Sequence, residues 1–252
     1  MIFWKRMQPF KVISFDLDDT LYDNVPIMYH AEEAFAELLC DRYRLDPYAR
    51  DPVFWKIIKR TLSDENKELL DDVTLLRAQG LIKAFEILKK PLQGGMQEAL
   101  ALVDEFVKIR SNFKVPVASC DLLSILAERY PLAALSNGNV DMQAIGIKDF
   151  FTFNLRPEFK GLKRKPSSDL FFKLASLCNL QPYEILHVGD EPSTDIKGAV
   201  EAGLQCAWLK GGYAGRSLSF YRLNLVPHVV LESLTELLDL AEGNAHKINL
   251  QK

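Results

Sequence analysis

Two aspartates, Asp16 and Asp18, close a short apolar run in the stretch KVISFDLDDTLYDN, residues 11–24. Val12, Ile13 and Phe15 are β-branched or aromatic and too few for a helix, so the run reads as a buried strand that stops where the acids begin. Residues two apart face different ways on a helix. On a strand they share a face, and just past a strand end both can point into one crevice. Such a pair suits a hard cation or an oxygen nucleophile, and strand ends are where open parallel sheets bind ligands. The same string is also ordinary turn and helix-capping chemistry.

Three further places carry polar residues of the same kind. Ser136 and Asn137 open the turn SNGN after an apolar run at 132–135, Lys165 precedes a helix opened by Ser167 or Ser168, and Asp190 and Asp195 follow an apolar run at 184–188. Each has a plain explanation: a good turn, a solvated basic run at 163–165, a helix cap. Gathered at one sheet edge they make something else. Several carboxylates repel one another unless a cation is present, and hydroxyl, amide and ammonium donors beside them suit a phosphate.

Positioning these residues requires an α/β framework. Strands are expected at 12–15, 132–135, 184–188, 206–209 and 229–231, alternating with helices at 121–130 (Asp121 as a cap), 169–178, 195–202 and 233–241. That alternation implies a Rossmann-like parallel sheet with helices on both faces. Between the first and second strands the pattern is helical throughout, with periodic apolar residues around 30–43, 52–62, 73–88 and 96–110 and a break at Pro91–Gly95. The expected organisation is a core of residues 1–22 and 116–252 and an all-helical insert of residues 23–115.

Composition narrows the classes. With 252 residues, 48% of them hydrophobic, the chain can build one sizeable core or a core with a smaller partner domain. A net charge of −3 gives no basic footprint, which disfavours nucleic acid, and no apolar run approaches the ~18 residues that span a bilayer. The four cysteines are scattered without a metal-ligand spacing, so they read as small core residues in a reducing compartment, the cytoplasm.

DLDDTLYDN, SNGN, the Lys165-Pro166 of RKPSSDLF, and GDEPSTD at 189–195 resemble, in order and spacing, the four signature motifs of the haloacid dehalogenase superfamily. The insert resembles that superfamily's helical cap. The chain is most similar to its bacterial phosphatases acting on flavin mononucleotide and on the phosphorylated ribitylaminopyrimidine of riboflavin synthesis. The resemblance implies an Mg²⁺-dependent phosphatase working on small phosphorylated metabolites as a monomer or weak homodimer. Asp16 would be the nucleophile and form an aspartyl-phosphate; Asp18 would be the general acid and then base. Mg²⁺ would bind the Asp16 carboxylate, the Asp18 backbone carbonyl and the Asp190 carboxylate, with Asp195 orienting metal-bound water or ligating directly. Ser136, Asn137 and Lys165 would hold phosphoryl oxygens. Members that remove halide lack an acid two residues past the nucleophile, so Asp18 favours phosphoryl chemistry. A phosphomutase acting on sugar phosphates and a noncatalytic module that binds a phosphorylated ligand remain the alternatives. Substrate choice would fall to the insert, whose aromatics Tyr29, Phe35, Tyr43, Tyr48, Phe54, Trp55 and Phe85 are candidates either for stacking or for its own core.

Overall fold

The computed structural model describes residues 1–158, 160–216 and 225–250. Seven strands, β1 (Ile2–Phe3), β2 (Val12–Phe15), β3 (Leu132–Leu135), β4 (Phe153–Leu155), β5 (Ile185–Gly189), β6 (Gln205–Leu209) and β7 (Val229–Leu231), form one sheet in the order β1-β7-β6-β5-β2-β3-β4. All neighbours are parallel except β1, which pairs antiparallel with β7 at the edge. From β2 the chain builds outward through β3 and β4, then returns to lay β5, β6 and β7 on the other side. The switch point, and with it the crevice of such a sheet, falls at the carboxyl end of β2.

Among the described residues eight α-helices follow in chain order: α1 (Asn24–Tyr43), α2 (Pro52–Glu65), α3 (Val73–Ile87), α4 (Gly95–Arg110), α5 (Val117–Ala127), α6 (Asp169–Cys178), α7 (Lys197–Glu201) and α8 (Glu236–Leu250). Alternation along the strands divides the core in two. Ile13, Phe15, Leu132, Ala134, Leu186 and Val188 pack with Leu122, Leu123 and Leu126 of α5 and with Leu237 and Leu240 of α8. Val12, Ala133, Leu135, Ile185 and Cys206 point the other way, onto Leu170, Phe171 and Leu174 of α6 and Ala199 of α7. Both faces are covered, which is why the central strands are apolar at nearly every position. Each fully buried Leu, Ile or Phe contributes about 1.5–3 kcal/mol.

Helices α1 to α4 build a third apolar cluster, from Ala31 to Phe106, with no member from the sheet among the described residues. Phe35, Trp55 and Phe85 are buried inside it, so they serve that core, whereas Tyr29 and Tyr48 are 65% and 54% exposed.

Four expectations need correction. Helix α5 begins at Val117 with Pro116 at its cap, so Asp121 lies inside the helix; the fixed φ of proline suits the first turn. The helix expected at 195–202 opens as a wide turn, Pro192–Ile196, before α7, and Gly203 ends it at φ +80°. The last helix starts at Glu236, three residues later than 233, because Ser233 and Leu234 are taken up in a turn that precedes it. Strands β1 and β4 escaped the pattern reading, being two and three residues long and lying at the two edges of the sheet.

Candidate active site

All four polar stations meet at the carboxyl end of β2. The Asp16 N–H donates to the Val188 carbonyl at 2.9 Å, prolonging the β2–β5 ladder by one residue and presenting the carboxylate above the strand end. Thr20 and Leu21 both donate their N–H to the Leu17 carbonyl, a tight turn in which Asp19 takes φ +61°. The turn brings Tyr22 back to Asp18, where its hydroxyl donates to Oδ1 at 2.7 Å.

Lys165 is 1% exposed, and its Nζ lies 2.7 Å from both Asp16 Oδ1 and Asp195 Oδ1. Asn137 aims it: the Lys165 N–H donates to Asn137 Oδ1 at 2.9 Å, and Asn137 Nδ2 donates to the Lys165 carbonyl at 3.1 Å. The Asn137 side chain is thus committed to the lysine's backbone. Ser136 is buried beside it, its Oγ accepting from the Gly138 N–H at 3.0 Å.

Asp190 follows β5 directly and accepts from the Thr20 hydroxyl at 2.9 Å. Asp195 lies in the wide turn before α7, and its Oδ2 accepts from the Glu191 N–H at 3.1 Å. A Cβ on Gly189 would stand 2.5 Å from the Asp195 Cβ, so only glycine lets the second acid approach the strand end. His187 is buried behind the acid, with Nδ1 3.0 Å from the Ser14 hydroxyl and Nε2 3.6 Å from Asp195 Oδ1. The loop at 210–216 also borders the site. Gly212 abuts Asp19 and Asp190, and Arg216 pairs with Asp19 and Asp23.

Arg110, the last residue of α4, is a part of this arrangement that the motifs do not contain. It is 4% exposed; Nη2 donates to both oxygens of Asp18 at 2.8 and 2.9 Å, and Nη1 donates to Asn139 Oδ1 at 2.9 Å. Asn139 in turn donates to the Thr74 hydroxyl of α3 at 3.2 Å, and the Arg164 N–H donates to Asp71. A signal existed: Ala99, Leu102, Val103, Phe106 and Arg110 form the buried stripe of α4, so a guanidinium continues an apolar face.

The electrostatics are those of crowded acids. Burial drives the Asp16 carboxyl well up, against the pull of Lys165 and with further push from Asp195, Asp18 and Asp190. Burial and then Asp195 push Asp190 up to about 7, although the Thr20 hydroxyl favours its charged form. Burial alone would lower Lys165, yet Asp16 and Asp195 hold its ammonium above the ordinary lysine range. Burial also opposes ionisation of Asp195, but Lys165 and His187 keep that carboxyl below the usual range. Oxygens of Asp16, Asp190 and Asp195 lie within 4.8 Å of one another. Four carboxylates, Asp16, Asp18, Asp190 and Asp195, face two cations, Lys165 and Arg110. With all four ionised the set carries an excess of two negative charges on hard oxygens, which fits a divalent ion such as Mg²⁺, and the raised Asp16 and Asp190 carboxyls are the cost of crowding them without one.

The family model for haloacid dehalogenase-like hydrolases matches residues 10–203. The chain belongs to this family. It is 32% identical over 241 residues to the 5-amino-6-(5-phospho-D-ribitylamino)uracil phosphatase of Escherichia coli, a match covering 95% of this chain and all of that one. It is 26% identical over 249 residues to the glyceraldehyde 3-phosphate phosphatase of Pyrococcus furiosus, covering 96% and 99%. Among solved structures, a 2-haloacid dehalogenase from Pseudomonas syringae superposes with a TM-score of 0.79 at 26% identity, over 92% of this chain and 98% of that one. The chain is therefore a hydrolase of the haloacid dehalogenase type, and its full-length curated relatives carry phosphatase names. Among the described residues no helix is long and apolar enough to cross a membrane.

Proposed function

We propose that this hydrolase cleaves phosphoric monoesters of small metabolites through a phosphorylated Asp16. The observation that carries the reading is the acid two residues past Asp16: Asp18 is anchored by Tyr22 and Arg110 beside the buried Asp16–Lys165–Asp195 cluster. An Asp16 carboxylate oxygen attacks phosphorus, the P–O bond to the alcohol breaks, and Asp18 gives its proton to the departing oxygen. Water then attacks the acyl phosphate, gives a proton to Asp18, and frees phosphate and Asp16. Lys165 and Ser136, with the Asn137 backbone N–H, hold the phosphoryl oxygens, and the ammonium offsets repulsion between Asp16 and the incoming dianion. The Asp16 and Asp190 carboxylates and the Asp18 carbonyl would hold Mg²⁺, with Asp195 beside them; the ion supplies charge neutralisation at phosphate oxygens. Residues 23–115 act as a cap over the carboxyl edge of the sheet, excluding water from the first step.

The relative in Escherichia coli is named for a ribitylaminouracil phosphate. That name favours the same compound, and flavin mononucleotide with its ribityl phosphate, as substrates here. Phosphate release from a panel of these two, glyceraldehyde phosphate, sugar phosphates and nitrophenyl phosphate tests the reading. Asp16→Asn and chelation of divalent ions are each expected to lower turnover by roughly 10³-fold or more. Turnover by Asp16→Asn at the native rate would remove Asp16 from its role.

A further inference from the structure

Resting on that reading, we infer that Arg110 is the positioning residue for the general acid, holding Asp18 so that one oxygen faces the phosphate-binding loop. The Asp18 side chain is 23% exposed and, without partners, would turn toward water. Its Oδ1 is taken by the Tyr22 hydroxyl at 2.7 Å and by Arg110 Nη2 at 2.8 Å. Its Oδ2 receives only the same Nη2, at 2.9 Å, and is pressed toward the turn after β3: a Cβ on Gly138 would stand 2.6 Å from Asp18 Oδ2, 3.4 Å from Arg110 Nη1 and 3.4 Å from Ser136 Oγ. Asp18 Oδ2, the guanidinium and the Ser136 hydroxyl therefore converge on one small space. The free side of Oδ2 is the side from which a leaving oxygen of a phosphoryl group held by Ser136 would be reached.

The guanidinium is itself fixed. Nη1 is bound to Asn139, Phe106 lies one turn earlier on the same buried stripe of α4, and Asn139 is tied across to Thr74 of α3. A lysine has no planar fork and could hold one acceptor while losing the other. Arg110 belongs to the helical insert and Asp18 to the turn after β2, so the ion pair that aims the acid joins the two. The insert then does more than cover the site: it completes it.

A group that merely braces the fold would depress every substrate alike. A group that aims an acid matters in proportion to the leaving oxygen's need for a proton. The test compares single-turnover alcohol release from glycerol phosphate, whose alkoxide must be protonated, with release from dinitrophenyl phosphate, whose phenolate departs unaided. In Arg110→Ala the ratio of the alkyl to the aryl rate is expected to fall by about 10- to 100-fold, the scale of a misplaced acid. Added methylguanidinium should restore it in part, and Arg110→Lys should sit between wild type and alanine. Asn139→Ala, which removes one anchor and keeps the charge, should move the ratio the same way by a smaller factor, so the test survives a poorly folded Arg110→Ala. An unchanged ratio in folded variants, whether both rates fall together or neither does, overturns the assignment. A wild-type protein inactive on both esters overturns instead the phosphatase reading beneath it.

Discussion

Asp190→Asn separates the cost of crowding acids from the benefit of binding a metal. Burial and Asp195 raise the Asp190 carboxyl from an ordinary 3.8 to about 7. A shift of about three units at about 1.36 kcal/mol each sets an upper limit of about 4 kcal/mol, and relaxation of the site brings the expectation to about 2–4 kcal/mol. The sign follows from proton counting: between about pH 4 and about pH 7 the folded protein holds a proton on Asp190 that the unfolded chain has released, so this contribution is full at low pH and is lost as pH rises through about 7. In chelator, wild type should therefore lose about 1–2 kcal/mol of that from about pH 5.5 to about pH 8, roughly 2–8 °C in Tm for a chain of this size. Asp190→Asn keeps an oxygen for the Thr20 hydroxyl and carries no charge, so in chelator its Tm should fall less than the wild type's over that range, the raised Asp16 carboxyl being retained, and should exceed wild type at the upper end. Adding Mg²⁺ should raise the wild-type Tm at high pH and leave the variant unmoved. Thermal melts at the two pH values, with and without Mg²⁺, give four values for each protein. If Asp190→Asn in chelator is less stable than wild type at high pH, or responds to Mg²⁺ equally, the reasoning about the acid cluster is refuted.

Two further outcomes follow from contacts described above or close to them. Gly138→Ala puts a methyl 2.6 Å from Asp18 Oδ2, so kcat should drop by roughly 10-fold or more while the fold loses about 1–3 kcal/mol; a native kcat would show that the acid tolerates being pushed aside. In the insert, Glu32 is half-buried and accepts from Arg77 at 2.8 Å and from Lys59 at 2.9 Å, which against the effect of burial hold its carboxyl down to about 2. Glu32→Gln should cost about 1–3 kcal/mol at neutral pH in urea titrations, with the wild-type advantage present above about pH 4.5 and lost as pH falls toward 2; coincident midpoints at neutral pH would contradict it.

Much of this was legible before any coordinates, for physical reasons. A parallel sheet covered on both faces demands unbroken apolar strands, so 132–135 and 184–188 declare themselves, the second one residue ahead of β5 (Ile185–Gly189), and the polar residues that follow them mark the strand ends. What the chain hides is whatever depends on long-range contact. Arg110 reads locally as a base in the last turn of a helix, no different from the exposed Lys108, and only the phase of the apolar stripe separates them. Thr20 and Tyr22 look like turn residues until their hydroxyls are seen on Asp190 and Asp18. Asp121 misled because an aspartate ahead of an apolar run resembles a cap, while a proline five residues earlier had already begun the helix. Strands β1 and β4 are too short for any alternation to register.

The pairing of Asn137 with both backbone groups of Lys165 has a wider consequence. One side chain imitates the neighbour that an extended strand would have, so the lysine is secured without any regular structure around it. Residues 160–164, which lead into the lysine, are thereby released from the duty of aiming an ammonium group. Such a segment is free to lengthen, shorten or change composition over evolutionary time while the chemistry at its far end stays fixed, which makes it a natural place for related enzymes to diverge.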